Sequence, residues 1–112
     1  MQLLVLVLNR TEVMPEILSD FMNDGIKGST VLDCDGSLNY LNNMEDAPPI
    51  FGSLRQFLNP GHSHAKLLLV VLSDDKVADA KKIIDRAVGG IDKPNTGIIF
   101  TVTLSSVEGL AH

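Results

Sequence analysis

The chain has 112 residues, with 14 acidic and 9 basic side chains and a single cysteine, Cys34. The net charge of −5, without a cluster of Lys or Arg, argues against nucleic acid or an anionic membrane as the main partner. One cysteine cannot form an internal disulfide and fits a reducing, cytoplasmic location. No stretch approaches transmembrane length, so no direct membrane insertion is expected.

Two nearly unbroken apolar runs, residues 3–8 and 67–72, dominate the hydropathy pattern. Each is too short for a buried helix and rich in strand formers, so each predicts a β-strand. Because neither run alternates apolar with polar residues, both predict burial on two faces of a sheet. A chain of this length supplies helices for only one face. We therefore expect further copies of the chain to cover the other face.

The remaining elements are taken in chain order. After the strand over residues 3–8, apolar residues at helical spacing predict a helix from about residue 12–14, with Pro15 in its first turn and Gly25 as its end. Residues 28–35 predict a second strand, and the third covers 66–72. A second helix is predicted from the Ser73-Asp74 cap to about Val88, followed by an alternating edge strand over 97–104.

This β-α-β-β-α-β order predicts an α+β fold, a ferredoxin-like sandwich with an antiparallel four-stranded sheet and two helices on one face. In that topology the first and third strands are central and the second and fourth are edges. The two solid apolar runs fall on the central strands. We expect residues 1–112 to form a single domain.

The connection between the second and third strands, residues 36–64, is unusually long. Hairpin loops take about two to five residues, and loops beyond roughly 15 residues are mostly functional or disordered. Its apolar patch at residues 50–58 is atypical of a disordered segment. We expect this patch to dock against the protein near the loop at residues 89–97.

Two short motifs within this layout resemble those of the P-II nitrogen-regulator family. Gly28-Ser29-Thr30-Val31, followed by Gly36, is similar to the family's G-x-T-V second strand with a glycine opening the long effector loop. Gly97-Ile98-Ile99-Phe100 is similar to the family's G-K-I-F at the start of the fourth strand. The resemblance implies a homotrimeric signal-transduction protein of nitrogen regulation. It also implies ATP or ADP in clefts between subunits and a target protein contacted by residues 36–64.

The chain departs from the family pattern at the basic positions. Ile98 replaces the lysine of G-K-I-F, Leu38 replaces the second glycine at the loop base, and no arginine follows the fourth strand. These changes remove charge-assisted contacts to phosphate. We therefore expect ATP to bind weakly or not at all, with Lys93, Arg10 and Arg55 as the cations to test if it does bind.

The loop between the second helix and the fourth strand is the candidate ligand site. Its backbone N–H groups could hold an anion beside the charge of Lys93, although a helix cap followed by an ordinary turn would have the same sequence. No P-loop pattern is present. Together with the glycine that opens the long loop, the candidate ligand-binding residues are Gly36, Gly89, Gly90, Lys93, Thr96 and Gly97.

A second candidate site involves metal-ligand residue types at the base of the long loop. Cys34 and Asp35 lie at the end of the second strand, and His62 and His64 flank the start of the third, so pairing of these strands could bring the four side chains together. Cys34, His62 and His64 are the candidate metal ligands. Ordinary surface histidines at a loop base are the simpler interpretation.

Catalysis has no support in the sequence, since no nucleophile–base pattern of recognised spacing is present. We therefore predict that the protein is not an enzyme. The alternatives to a P-II-like regulator are a trimeric divalent-metal-binding protein and a structural adaptor that binds a partner without a small ligand.

Overall fold

A computed structural model of the chain describes residues 1–42 and 64–110. Short 3-10 turns at Thr11–Val13 and Asp74–Lys76 precede two of the helices. The strands are β1 (Gln2–Leu8), β2 (Thr30–Cys34), β3 (Ala65–Leu72) and β4 (Gly97–Thr103), and the helices are α1 (Met14–Asn23), α2 (Ser37–Asn42) and α3 (Val77–Val88).

The four strands form one antiparallel sheet in the order β2-β3-β1-β4. Val5 lies between Leu69 of β3 and Phe100 of β4, which fixes the register across the sheet. The central pair is therefore β1 and β3, the two solid apolar runs, and the edges are β2 and β4. This confirms the predicted α+β class and its ferredoxin-like arrangement.

The core lies between one face of this sheet and the helices α1 and α3. Alternate residues of a strand share a face, and the even-numbered side chains of β1 and β3 point to the helices. Their partners in the core come from one stripe of each helix, such as Phe21 of α1 and Ile84 of α3, both almost completely buried. The fully or nearly fully buried residues of the central strands are Leu4, Leu6, Leu8, Leu68, Val70 and Leu72.

Both long helices end as the glycines predict. Gly25 and Gly89 adopt left-handed conformations, with φ of 78° and 77°. After α1, the N–H of Ile26 donates to the carbonyl of Phe21 at 2.8 Å, and the N–H of Gly25 donates to that of Met22. This pair of bonds is a Schellman motif, and buried Ile26 supplies its usual hydrophobic contact.

On the opposite face of the sheet, the described residues place no helix, and this face is almost wholly apolar. Val5 at its centre is only 7% exposed, but the outer strands leave Ile98 63%, Phe100 47%, Val102 48% and Leu32 45% exposed. The register places these side chains beside the half-buried odd-numbered residues of β1 and β3. We call this surface the open face; its apolar members are Leu3, Val5, Val7, Leu32, Cys34, Ala65, Leu67, Leu69, Val71, Ile98, Phe100 and Val102.

The long connection between β2 and β3 begins with a short helix. Residues 37–42 form the helix α2, which the sequence analysis did not predict, and Tyr40 N–H donates to the carbonyl of Gly36 in its first turn. The predicted apolar patch at 50–58 lies outside the described residues.

Within residues 1–42 and 64–110, no helix combines the length and apolarity needed to cross a bilayer.

Candidate functional site

The predicted ligand loop and the long connection leave the same end of the sheet. β1 and β2 end there and β3 and β4 begin there, because β1 and β2 run parallel to each other and antiparallel to the other two. The loop at residues 89–96 connects α3 to β4 at this end, and it is tied to β1 by a hydrogen bond of 3.0 Å from Asn9 N–H to the carbonyl of Thr96.

Contacts within the loop and with the end of α3 already use the backbone N–H groups of Gly89, Gly90 and Ile91. Gly90 N–H donates to the carbonyl of Asp85 at 2.9 Å, and Gly89 N–H donates to that of Arg86, which forms a second Schellman motif. Ile91 N–H donates to the Asp85 carboxylate at 2.8 Å. Gly89 and Gly90 thus have a structural role in ending α3. An anion bound here would have to displace these bonds or use other donors.

Thr96 is the one buried polar residue of the loop, at 3% exposure. Its hydroxyl lies 3.0 Å from the carbonyl oxygen of Ile91 and 2.9 Å from that of Lys93. The hydroxyl proton therefore holds the loop closed on itself, and Thr96 does not present its hydroxyl to solvent.

Packing restricts the residue type at Gly97 but not at Lys93. Gly97 has a φ of 153°, and a Cβ built there would overlap the carbonyl oxygen of Val7 on the neighbouring strand. The close approach of β4 to β1 thus requires glycine at this position. Lys93 is exposed, and among the described residues its amine is the loop's only side-chain cation.

The structure does not bring all the predicted ligand residues together within one chain. Gly36 follows β2 and the 89–97 loop precedes β4, and these strands are the two edges of the sheet. Three strand spacings of about 4.8 Å separate them by roughly 14 Å. Within one chain, the two groups of candidate ligand residues therefore lie at opposite edges of the sheet.

Arg10 has a structural role at this end that the sequence analysis missed. Its guanidinium donates to the carbonyl of Val88, the last residue of α3, at 2.8 Å and pairs with Glu12 at 3.1 Å. A cation at a helix C-terminus satisfies an orphan carbonyl and offsets the helix dipole. The only sequence signal for this role is the position of Arg10, which follows Asn9 directly after the end of β1.

The structure describes two of the three candidate metal residues, Cys34 and His64. His64 Nδ1 lies 2.7 Å from the Asp35 carboxylate, beside the ion pair of Lys66 and Asp33 at 2.8 Å. These side chains share one face of the β2–β3 ladder, and Cys34 points to the other. In the part of the chain that the structure describes, no three His, Cys, Asp or Glu side chains are grouped to hold a metal ion. His62 lies outside that part.

Cys34 is a poor nucleophile in this setting. Partial burial raises the pKa of its thiol, and the carboxylates of Asp35 and Asp33 raise it further. The thiolate is the reactive form, so a raised pKa lowers reactivity at neutral pH. This agrees with a structural role for Cys34 in β2.

One cleft of the described residues lies away from the predicted site. It has a volume of about 470 Å³ and lies at the opposite end of the sheet, between the C-terminal segment and the start of α3. Ile26, Lys27, Leu72, Lys76 and Leu110 are among the residues that line it.

Comparison with known proteins finds no protein-family model that matches the chain and no curated protein with significant sequence similarity. The likeness to the P-II family therefore stays a prediction that depends on the fold and the two short motifs.

Proposed function

We propose that the protein is a P-II-like regulatory protein that assembles as a homotrimer, binds a small ligand between subunits and regulates a target protein through residues 36–64. A nucleotide is the candidate ligand class. The observation that carries the proposal is the open face, an apolar surface across all four strands of the sheet that no helix of the described residues covers.

The composition and the continuity of this surface favour assembly. Seven residues of strand at about 3.3 Å each and four strands at about 4.8 Å give a flat area of roughly 400 Å². This is within the range of about 300–600 Å² for the largest apolar patch on a typical monomer, a patch that is often an interaction site. Three sheets facing a common centre would remove the three faces from water together, which is the arrangement that the P-II resemblance implies.

The position of the ligand residues supports a site between subunits. Gly36 and Lys93 leave the same end of the sheet from opposite edges, so the loop of one copy and the long connection of the next could form two sides of one cleft. In this arrangement ligand binding and the position of residues 36–64 are coupled, because the same cleft contains both. That coupling is what a regulator requires.

Ligand binding is tested by thermal unfolding with ATP and ADP as probes. A ligand that binds only the folded state raises the melting temperature. We expect a small rise at millimolar nucleotide that Lys93→Met abolishes, while Lys81→Met, at an exposed position on α3, keeps it. No rise with either nucleotide would contradict a nucleotide ligand and favour the adaptor alternative.

Calorimetry measures the dissociation constant of ATP. Because Ile98 replaces the family's lysine and no arginine follows β4, we expect a dissociation constant for ATP weaker than about 10 μM, which corresponds to about −7 kcal/mol. Tighter binding would contradict this and show that other cations supply the missing charge. Arg10 is the described candidate after Lys93, although its guanidinium is already paired.

A further inference from the structure

We infer that two copies of the chain join edge to edge through β4, whose outer side pairs antiparallel with β4 of the second copy about a two-fold axis at Phe100. This contact uses the backbone edge of the sheet. It goes beyond the proposed function, which buries the side chains of the open face and requires no edge contact.

The two edges of the sheet differ in how they are protected. Natural sheets block edge pairing with charges, prolines, bulges or very short edge strands. β2 has five residues and carries Asp33, which is 84% exposed in its ion pair with Lys66. β4 has seven residues, Gly-Ile-Ile-Phe-Thr-Val-Thr, with no charge and no proline. Among the described residues, β4 is therefore the sheet edge that is left open to pairing.

The hydrogen bonds to β1 identify which groups of β4 face outward. Leu104 N–H donates to the carbonyl of Met1 at 3.1 Å, and Asn9 N–H donates to that of Thr96. Along an antiparallel strand the bonded residues alternate, so the even-numbered residues of β4 bond β1. The N–H and C=O of Gly97, Ile99, Thr101 and Thr103 point to the open edge. Within the described residues no strand lies on that side.

One register satisfies all of these groups. Placing Phe100 opposite Phe100 of a second copy sets Gly97 opposite Thr103 and Ile99 opposite Thr101, and each of these pairs joins residues with outward groups. A shift by two residues leaves some of them unpaired. A shift by one would place each outward-facing residue opposite a residue whose N–H and C=O groups already bond β1. Antiparallel pairing of one strand with its own copy also satisfies two-fold symmetry, so the contact closes on itself as a dimer.

The side chains fit the same register. On the open face Ile98 lies opposite Val102 and Phe100 opposite its copy. Aromatic and β-branched cross-strand pairs of this kind stabilise antiparallel sheets. No like charges meet, because β4 has none. A second copy of the chain is therefore the occupant that matches this edge in both its backbone and side chains.

Proline substitution tests the backbone part of the contact. Thr101→Pro removes an outward N–H and leaves the bonds to β1, as proline is tolerated on the solvent side of an edge strand. The matched control, Thr101→Val, keeps the N–H. Sedimentation over a dilution series should show a dissociation constant of the edge dimer that is about tenfold or more higher in Thr101→Pro and unchanged in Thr101→Val. Circular dichroism confirms that both variants fold. Equal association of both variants, or a wild type that never associates, would overturn the inference.

Cysteine cross-linking tests the register. In a Cys34→Ala background, Ile98→Cys and Val102→Cys should form disulfides when the two variants are mixed, since opposed non-hydrogen-bonded residues have Cβ atoms about 4.5–5.5 Å apart. Each variant alone should cross-link poorly, because identical positions would lie about 13 Å apart along the strands. Cross-linking of each variant alone as efficiently as the mixture would overturn the register.

The two assemblies give distinguishable outcomes. A trimer mass without the 98–102 disulfide contradicts edge pairing and leaves the proposed function standing. The 98–102 disulfide in a protein that forms dimers but no trimer confirms edge pairing and contradicts the trimeric part of the proposed function.

Discussion

At the scale of single residues, several positions with functional sequence signals have structural explanations. Gly97 is required where β4 approaches β1, Thr96 closes its own loop, and Gly89 ends α3. Lys93 is the exception, since its side chain is exposed and its amine makes none of the loop contacts described above. It is therefore the residue whose substitution separates ligand binding from folding.

Gly97→Ala should destabilise the fold. The added methyl group would overlap the carbonyl of Val7 and lie 3.3 Å from Cα of Leu8, and φ is 153° at this position. Strain and overpacking of this kind cost about 2–3 kcal/mol, measurable by urea unfolding. The matched control is Gly36→Ala, where a Cβ meets nothing within 4 Å. Equal stability of the two variants would contradict the close approach of β4 to β1.

Asp33 should titrate below an ordinary aspartate. The hydrogen bond from Lys66 and the charge of its amine lower the pKa of the Asp33 carboxyl. The stability from this pair is therefore present above the ordinary carboxyl pKa of about 4 and is lost as pH falls through the lowered value. Carbon-13 NMR titration should show that pKa rising in Lys66→Met and unchanged in Lys81→Met. An unaltered Asp33 pKa in Lys66→Met would contradict the ion pair.

At the scale of elements, the pattern of the sequence was sufficient for most of the fold. The unbroken runs predicted the central strands because a two-sided strand has no polar face, and the glycines predicted the ends of α1 and α3 because a left-handed cap favours glycine. The helix α2 was missed because Ser37–Asn42 has one turn and a half and no strong periodicity. The approach of His64 to Asp35 was predicted from the expected pairing of the second and third strands. What the sequence could not give is the β2–β3 register, which no short motif encodes and which places Cys34 on the opposite face.

The 89–97 loop should depend on the buried hydroxyl of Thr96. Thr96→Val has a similar shape but leaves the carbonyls of Ile91 and Lys93 without their donor, and an unsatisfied buried polar group costs about 1–3 kcal/mol. Thr96→Ser keeps the hydroxyl and is the control. Chemical unfolding should show the larger loss in Thr96→Val. A smaller loss in Thr96→Val than in Thr96→Ser would mean that the methyl group, not the hydroxyl, holds the loop.

At the scale of the whole molecule, the open face connects the sequence to the proposed function. The run at residues 67–72 is apolar on both sides, and among the described residues the helices cover only its even-numbered side chains. Which partner covers the rest could not follow from the sequence, since an apolar strand has the same pattern whether its second face meets a helix, another domain or another copy. The ligand is equally undetermined by pattern, because its site would be formed by two chains.

Sedimentation equilibrium of the wild type and of Leu69→Lys tests this account most directly. Leu69 lies beside Val5 at the centre of the open face, and Ser19→Lys adds the same charge at an exposed position of α1. For the wild type and Ser19→Lys, we predict a trimer near 36 kDa, three times the 12.1 kDa of one chain, or a multiple of this mass formed by edge pairing. For Leu69→Lys, we predict unfolded or aggregated protein. A well-folded 12.1 kDa monomer at micromolar concentration for the wild type would contradict it.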